Sequence, residues 1–400
     1  MDRTEIDIDP FGKKVRTLRF LVLTLYIFCA LFASINAYIL EQKYNPEGTP
    51  EKMKYGNYVQ FKLSWSHLSQ GKDLYTLIPG EHYDYFKYSP TFAFFFGCLA
   101  WLPDVIGLTL WTLLNTLLLF FAIKYLPGIS DRNKNYLLLF ILIELMTSLQ
   151  NMQSNALIAG LLIFSFICLE RRKYLPATLF IVLTVYIKLF GGIAFLLFFL
   201  FPKKWKLFLY SLLWIIVLFI LPLPLTGAEY LKSLYISWFH LLSTDHSASL
   251  GFSVMGWLST WFHAGINKDL IVLLGAILCS IPLFVKEKFK NLDFRLLMLS
   301  SILIWIVIFN HKAESPTFII AISGVAIWFF FRKTTPLNLS LLIIAFIFTS
   351  LSATDLCPRY IHDNIIERYA IKAVPCILIW FKILWDIFRL PRGTVFPMDE

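Results

Sequence analysis

Residues 81–102 read EHYDYFKYSPTFAFFFGCLAWL. The first ten residues interleave charged and titratable side chains with aromatic ones: Glu81, His82, Asp84 and Lys87. Pro90 then precedes twelve residues without any charge. Proline is well tolerated in the first turn of a helix, where its missing N–H has no intrahelical partner, so an apolar helix is expected to begin here. Such a junction is either the polar rim of a membrane protein or a place where chemistry is done at a membrane.

The composition is typical of an integral membrane protein. Of its 400 residues, 58% are hydrophobic and only 16% are charged, and the mean hydropathy is +0.67, whereas soluble domains carry about 25% charged residues. Several apolar runs are long enough to cross a bilayer core of about 30 Å as helices, and the shorter ones extend into their flanks or are broken helices around a cavity. The runs are 20–40, 105–123, 207–225, 270–285, 296–310, 317–331, 337–352 and 373–381.

The net charge of +10 is not the signature of a nucleic-acid-binding protein. The basic residues form short clusters beside apolar runs, as the positive-inside rule predicts for cytoplasmic loops. The clusters are Lys13–Arg19, Lys124 with Arg132 and Lys134, Arg171–Lys173, Lys203–Lys206, Lys286–Arg295, Arg332–Lys333 and Arg389–Arg392. The N-terminus is therefore expected in the cytoplasm. Because no small-residue cleavage site follows the run 20–40, this run is expected to remain as a membrane anchor.

These clusters leave a set of segments for the outer face of the membrane: 41–89, 150–155, the region of Lys188, 226–269, 310–316 and 353–370. This assignment of segments to the two sides of the membrane is consistent along the chain if residues 91–102 dip into the membrane, or lie along it, without crossing. If they cross, Lys124 and the basic residues after it end up outside, so the first version is favoured. Residues 174–201 must then go out and return as two short helices that meet at Lys188–Gly192.

The fold class expected from these patterns is an all-α polytopic membrane protein with roughly 11–13 transmembrane helices and a short interfacial or re-entrant helix after the first outer loop. One integral membrane domain covers residues 1–400, with a first outer loop at 41–90 and cytoplasmic tails at 1–19 and 390–400. The six cysteines include no CxxC pair, so neither a disulfide framework nor a zinc or haem site is expected. No metal and no other cofactor is expected.

Polar side chains cluster in the segments assigned to the outer face. Polar side chains are expected in loops that face water. Lys188 differs, because it is the single charged residue of an otherwise uncharged stretch and is followed closely by Gly191 and Gly192. A lysine in this position would suit an anion such as a phosphate. A nearby carboxylate could act as general base toward a hydroxyl. The candidates are Asn57, Glu81, Asp84, Lys87, Tyr88, Gln150, Gln153, Asn155, Lys188, His311, Lys312 and Glu314. Together they describe transfer of a group from a phosphate-linked membrane lipid.

Three segments in the first third of the chain carry a family resemblance: GNYVQFKLSWSHLSQGKDLY (56–75), KYSPTFAFFFGCLAWLP (87–103) and LWTLLN (110–115). They resemble glycosyltransferase family 87. The resemblance continues through QNMQSNALIAGLLIFSFICLERRK (150–173), PATLFIVLTVYIKLFGG (176–192) and HSASLGFSVMGWL (246–258). It covers roughly residues 20–330, and its specificity lies in the order and spacing of the pieces.

The resemblance implies a GT-C architecture, which is a bundle of many membrane helices with its active site on the outer face. The implied donor is a sugar, mannose in the best-known members, carried on a polyprenyl phosphate. The implied acceptor is a glycan or a glycolipid, and the implied location is the plasma membrane of a bacterium. Such enzymes invert the anomeric centre and take a carboxylate of the first outer loop as base. The first outer loop of this chain contains no DxD metal motif, so a metal-independent reaction is expected.

The sequence departs from the family pattern at the expected base. The family has an acidic residue 14 positions before the glycine that corresponds to Gly71, and this chain has Asn57 there. Glu81 and Asp84 are the nearest replacements in the loop, and Glu314 is the next. A second departure is that Lys188 is followed by Leu189 and not by proline.

Three functions compete on this basis. The favoured one is an inverting hexosyltransferase with Lys188 at the donor phosphate, assisted by Lys87 or Lys312, and with Glu81 or Asp84 as base. A transporter or flippase for a lipid-linked substrate is disfavoured, because no repeat symmetry is visible and the functional charges lie on one side. A family member that binds a polyprenyl lipid without catalysis is the third, and Asn57 is the feature that suggests it.

Overall fold

The computed structural model of the chain describes residues 10–49, 52–78, 80, 81, 84–244, 249–263, 265 and 267–391. His82, His246 and the outer parts of both expected tails lie outside the described residues. Helix accounts for 78% of the structure, and the described residues include no strand. The prediction of an all-α protein is therefore confirmed.

The described α-helices follow the apolar pattern of the sequence. They are α1 (Pro10–Tyr44), α2 (Gly56–Gln70), α3 (Pro90–Ala100), α4 (Asp104–Tyr125), α5 (Asp131–Gln150), α6 (Asn155–Glu170), α7 (Tyr174–Ile187), α8 (Lys204–Ile220), α9 (Leu223–Thr226), α10 (Ala228–Thr244), α11 (Val254–Phe262), α12 (Lys268–Ser280), α13 (Leu292–Ile308), α14 (Phe318–Phe330), α15 (Pro336–Ala345), α16 (Arg359–Ile361) and α17 (Val374–Arg389). Two π-helical segments, Phe346–Ser350 and His362–Glu367, interrupt the C-terminal part.

Within the described ranges, four helical stretches are long and apolar enough to span a membrane: Lys14–Tyr44, Asp104–Tyr125, Lys204–Thr226 and Pro336–Ala353. Shorter apolar helices, such as α6 and α7, accompany them. The chain is thus a polytopic membrane protein, and the number of roughly 11–13 crossings stays a prediction. Residues 10–19 of the expected tail are helical and form the first turns of α1, and the expected first outer loop contains α2.

Ion pairs connect the termini of neighbouring helices at one end of the bundle, here called the basic end. Arg19 of α1 lies 2.5 Å from Asp131 at the start of α5. Arg295 of α13 makes two hydrogen bonds, of 2.6 and 2.7 Å, to the carboxylate of Glu170 at the end of α6. These helices therefore meet at one end, as the grouping of the basic clusters predicted. The opposite end, called the polar end, carries the α5–α6 turn, Lys188 and the α13–α14 loop.

The short helix α3 begins and ends at the polar end. At its start, the Ser89 N–H donates to the carbonyl of Tyr186 in the last turn of α7, at 3.3 Å. At its other end, the Leu99 carbonyl accepts from the hydroxyl of Tyr58 in α2, at 3.5 Å, next to Asn57, which bonds to the α5–α6 turn. A helix of 11 residues is about 16 Å long. This placement is what a non-crossing segment after the first loop requires.

An aromatic cluster fixes the junction of α2, α3 and α4. The ring of Phe61 lies edge-to-face with Tyr88, Phe92, Phe96 and Trp111, with centroid distances of 4.8 to 5.7 Å. Edge-to-face contacts of this kind add about 0.5–1.5 kcal/mol each to the burial of the rings. The cluster anchors Tyr88, the last aromatic residue before Pro90, in a fixed position at the polar end.

A buried ion pair ties the C-terminal part to the centre of the bundle. Lys372 Nζ lies 2.8 Å from Glu144 Oε1 in α5, with side-chain exposures of 1% and 0%. The same ammonium lies 5.1 Å from the ring centroid of Phe318, the first residue of α14. Charges inside a membrane protein need such partners. The pair therefore holds α5 and the start of α14 together, two elements whose neighbouring loops form the polar end.

We predict that Lys372→Met lowers the free energy of unfolding by about 3–5 kcal/mol, because it leaves a buried carboxylate without its cation. The double variant Glu144→Met/Lys372→Met should recover most of this loss, since two apolar side chains carry no desolvation cost. Thermal unfolding in detergent, followed by circular dichroism, measures both effects.

The matched control is Arg359→Met, which removes the cation of an ion pair to Asp363 in which Arg359 is 95% exposed. Its cost should not exceed about 1 kcal/mol. A Lys372→Met protein as stable as this control, or a double variant as unstable as Lys372→Met alone, would contradict the role of the pair.

Candidate functional site

A continuous hydrogen-bond network runs across the polar end from a cation to a carboxylate. Lys188 Nζ donates to Asn155 Oδ1 at 2.9 Å. The Asn155 amide donates to Gln153 Oε1 at 2.5 Å and to the carbonyl of Pro316 at 3.0 Å. Gln153 Nε2 in turn donates to Glu314 Oε2 at 3.0 Å. The network thus joins the α5–α6 turn, the end of α7 and the α13–α14 loop.

The α5–α6 turn is built to place Gln153 and Asn155. Met152 adopts a φ of +52°, a left-handed conformation that costs a residue with a side chain roughly 1–2 kcal/mol. The turn is held there because the Met152 carbonyl accepts from Trp111 Nε1 at 2.9 Å, and the Gln153 N–H donates to Ser148 O at 3.2 Å. Asn155 then starts α6 as a fully buried side chain. Strained backbone that the surroundings enforce in this way is common at functional sites.

Lys188 lies at a break between two short helices, as the sequence predicted. Its N–H donates to Thr184 O at 2.7 Å to end α7, its φ is −145°, and a 3₁₀ segment, Leu189–Leu200, follows. Gly191 packs so closely on Thr184 that a Cβ there would lie 2.4 Å from the Thr184 hydroxyl. A larger residue would therefore force the break open and move Lys188.

Tyr88 forms one wall beside Lys188. The Lys188 ammonium lies 5.9 Å from the centroid of the Tyr88 ring, within the range of a cation–π interaction. The Tyr88 hydroxyl lies 3.4 Å from Ser154 Oγ in the α5–α6 turn. The opening stretch of the sequence therefore reaches the network directly.

Two further lysines bring positive charge to the same place. Lys87 Nζ lies 3.3 Å from Asp84, and its charge acts on both Lys188 and Lys312. Partial burial and, to a smaller extent, the charge of Lys87 lower the pKa of Lys312 to about 8 against the opposing effect of Asp84. Lys87 thus repels the ammonium groups of both other lysines, with Glu314 acting in the opposite sense on Lys188, and an anionic partner would relieve this repulsion.

His311 and Lys312 sit on a loop that is braced by the segment before α11. Gly251 has a φ of +55°, and a Cβ on it would lie 2.9 Å from the His311 carbonyl and 2.8 Å from that of Ala313. The Phe252 N–H donates to Ala313 O at 2.9 Å. Only glycine fits both the backbone conformation and this close approach. The ring of the half-buried His311 faces Phe190, with centroids 6.4 Å apart.

A small recess beside the network gathers the candidates of the first loop. Asn57, Gln60, Glu81 and Asp84 line it. Gln60 Nε2 donates to the carbonyl of Asp84 at 2.7 Å, and Asn57 Nδ2 donates to the carbonyl of Asn151 at 2.8 Å. The second bond connects the recess to the α5–α6 turn. The recess thus brings together Asn57, Glu81 and Asp84, the three residues that the family resemblance singled out as candidates for the position of the base.

Glu81 has a partner that the sequence analysis missed. Its Oε2 lies 2.6 Å from Nε2 of His67, a buried residue of α2. His67 lies within one of the segments that carried the family resemblance, but nothing in the sequence linked it to a residue 14 positions later. The histidine orients one oxygen of Glu81, whose side chain is 34% exposed, while Asp84 is 57% exposed.

The structure therefore divides the predicted site residues into two adjoining groups. Gln153, Asn155, Lys188 and Glu314 form the network, with Tyr88 and the charges of Lys87 and Lys312 beside it. Asn57, Glu81 and Asp84 line the recess. Gln150, the last residue of α5, is exposed and belongs to neither group within the described part of the chain.

One cluster among the described residues could offer three ligand atoms to a metal ion. Donor atoms of His362, Asp363 and Glu367 lie within 4.8 Å of one another. All three are on an exposed or half-exposed π-helical segment, and Asp363 is already engaged by His362 at 3.0 Å and by Arg359 at 3.6 Å. The geometry gives this cluster no link to the network or to the recess.

The sequence profile of glycosyltransferase family 87 matches residues 86–354 of the chain. This range includes the whole network and Lys87, and it begins shortly after Glu81 and Asp84. No curated protein sequence matches the chain. The match covers more than half of the chain, which is enough to establish family membership.

We predict that Asn155→Leu destabilises the protein by about 1–3 kcal/mol, because it deprives the Lys188 ammonium and the Pro316 carbonyl of a buried partner. Thermal unfolding in detergent measures this effect. Gln150→Leu is the matched control, since it removes an exposed amide from the same turn region and should stay within about 0.5 kcal/mol. Equal stability of the two variants would show that Asn155 does not hold the network together.

Proposed function

Because the chain belongs to glycosyltransferase family 87 and is a membrane glycosyltransferase, we propose that it transfers a hexosyl group, mannosyl in the first instance, from a polyprenyl-phosphate sugar. The acceptor is a hydroxyl of a glycan or glycolipid. We place the reaction on the outer face of a bacterial plasma membrane, where the positive-inside rule puts the polar end.

The observation that carries the donor class is the position of Lys188. Its ammonium is fixed by Asn155 at 2.9 Å and by the face of Tyr88, and the charge of Lys87 acts on it and also on Lys312. A lysine held as a point charge suits a phosphate group. In this proposal the donor phosphate binds among the three lysines, and the amides of Gln153 and Asn155 contact the phosphate or the sugar.

The recess supplies the base. In the proposed step, a carboxylate takes the proton of the acceptor hydroxyl while the hydroxyl oxygen bonds to the anomeric carbon. The bond from the anomeric carbon to the phosphate oxygen breaks, and the polyprenyl phosphate leaves with the electron pair, stabilised by the lysines. We favour Glu81, because His67 holds its carboxylate at 2.6 Å. Asp84, which pairs with Lys87, is the alternative base.

We predict that Lys188→Met and Glu81→Gln each reduce sugar transfer at least 100-fold, the range expected for loss of a charge contact in the transition state and of a general base. Transfer of labelled mannose from a polyprenyl-phosphate mannose to membrane glycolipids measures the activity. Asp84→Asn distinguishes the two bases, since it should have less than a tenth of that effect if Glu81 is the base.

Gln150→Leu is again the matched control, and each variant is checked for unchanged thermal unfolding. Full activity in Lys188→Met, or in both Glu81→Gln and Asp84→Asn, would refute this assignment of the site. A protein that binds polyprenyl-phosphate mannose but transfers nothing under any condition would instead be the non-catalytic lipid binder that Asn57 suggested.

The titration of Lys312 gives a second test. The pKa of Lys312 is lowered to about 8, so its ammonium is charged below pH 8 and is lost as the pH rises through this value. If Lys312 binds the donor phosphate, the KM for the donor should rise several-fold between pH 7 and pH 9. Lys312→Arg should make the rise of KM over this range smaller, because arginine stays protonated. A residual rise is expected from Lys188, whose pKa is also lowered to about 8, first of all by burial. The same rise of KM in Lys312→Arg would exclude Lys312 as its origin.

A further inference from the structure

A second charged pocket lies at the basic end of the bundle. It is an open pocket of about 450 Å³ between the α6–α7 turn and the start of α8, and it is lined by Arg172, Lys173, Tyr174, Lys203, Lys206 and Tyr210. Tyr174 is the first residue of α7 and Lys188 follows its last residue. A helix of 14 residues is about 21 Å long, so this pocket is separate from the proposed active site.

The positive charge of this pocket is not balanced by a carboxylate in the part of the chain that the structure describes. Among the described residues, none of its four cations forms an ion pair with a carboxylate. The sequence between Arg171 and Ala228 contains no aspartate or glutamate. The nearest acidic residue before it is Glu170, and both of its carboxylate oxygens accept hydrogen bonds from the guanidinium of Arg295, at 2.6 and 2.7 Å. Cations gathered in a concave surface without acids attract an anion.

The backbone holds two of these cations in an unfavourable conformation. Arg172 has a φ of +57° and Lys203 a φ of +62°, both in the left-handed region where glycine is the relaxed choice. Lys203 is the N-cap residue that precedes α8, and its side chain makes no capping bond. Strain kept at a charged concave surface suggests that the side chains serve a ligand.

Next to the pocket lies a surface suited to acyl chains. The first turns of α8 expose Trp205, Phe208 and Leu209, at 73%, 54% and 52%. Apolar residues continue along this helix, which lies within one of the four candidate spans. Tryptophan is typical of the membrane interface. A ligand that occupies both the basic pocket and the apolar surface of α8 has an anionic headgroup, which contacts the cations, and hydrocarbon chains, which lie along α8.

We propose that this pocket binds the phosphate headgroup of an anionic glycerophospholipid, such as a phosphatidylglycerol, with its acyl chains lying along α8. Basic pockets between membrane helices are suited to such headgroups. A zwitterionic lipid fits less well, because its ammonium would be brought among four cations. The site is independent of sugar transfer and can be tested on the full chain without an activity assay.

The test measures lipid binding to the purified full-length protein in detergent by native mass spectrometry, with dioleoyl phosphatidylglycerol as the probe. The variant Arg172→Gly/Lys203→Gly removes two cations and relieves the strained backbone, so it should unfold at no lower temperature than the unmodified protein. Its affinity for the lipid should fall roughly 30-fold, from the contribution of each cation near a membrane surface. The control, Lys286→Gly/Lys290→Gly, removes two exposed lysines of another basic cluster and should bind as the unmodified protein does.

A second variant, Lys173→Gln/Lys206→Gln, leaves the strained residues in place and should show a similar loss, which supports the proposal even if the glycine variant folds poorly. Dioleoyl phosphatidylcholine and water-soluble glycerol phosphate are the comparison ligands. Unchanged phosphatidylglycerol binding in both pocket variants would overturn the proposal. So would equal binding of phosphatidylcholine, or displacement of the lipid by an equal concentration of glycerol phosphate, which would indicate a site for free phosphate.

Discussion

The arrangement of the polar end depends on one buried amide. Asn155 accepts from the Lys188 ammonium and donates to Gln153 and to the Pro316 carbonyl, so three separate chain segments converge on a single fully buried side chain. In a low-dielectric interior, a charge without partners is costly, and this cost is what makes the geometry specific. The break after α7, the strained turn at Met152 and the Gly251 contact all act to keep these segments within reach of Asn155.

The local features of the site could be predicted from the sequence, because they depend on residues that are neighbours in the chain. An uncharged stretch interrupted by Lys188 and two glycines predicted a break, and the break lies at Lys188. Pro90 predicted the start of α3, and Ser89 and Pro90 do begin it. Long-range pairs were not predictable in this way. The contact of Glu144 with Lys372 joins residues 228 positions apart, and a single sequence gives no sign of which buried charges meet.

Helix register explains why the amides of the α5–α6 turn were only partly predicted. Gln150 and Gln153 looked equivalent in the sequence, because both belong to the same amide-rich segment. In the structure, α5 still includes Gln150 and turns it outward, whereas the left-handed Met152 redirects the chain and points Gln153 at Glu314. The φ of one residue thus decides which amide enters the network, and a non-glycine residue at this φ is rarely predictable.

Asn57 also becomes understandable from its hydrogen bond. Its Nδ2 donates to the Asn151 carbonyl at 2.8 Å, and an ionised aspartate could not make this bond, because a carboxylate only accepts. An aspartate here would place a negative charge against a carbonyl oxygen and would loosen the link between α2 and the α5–α6 turn. The amide therefore has a structural reason in this chain. Consequently Asn57→Asp should not act as a gain of catalytic function. In the proposed reaction the base is one of the other carboxylates of the recess, and we favour Glu81 because His67 holds it.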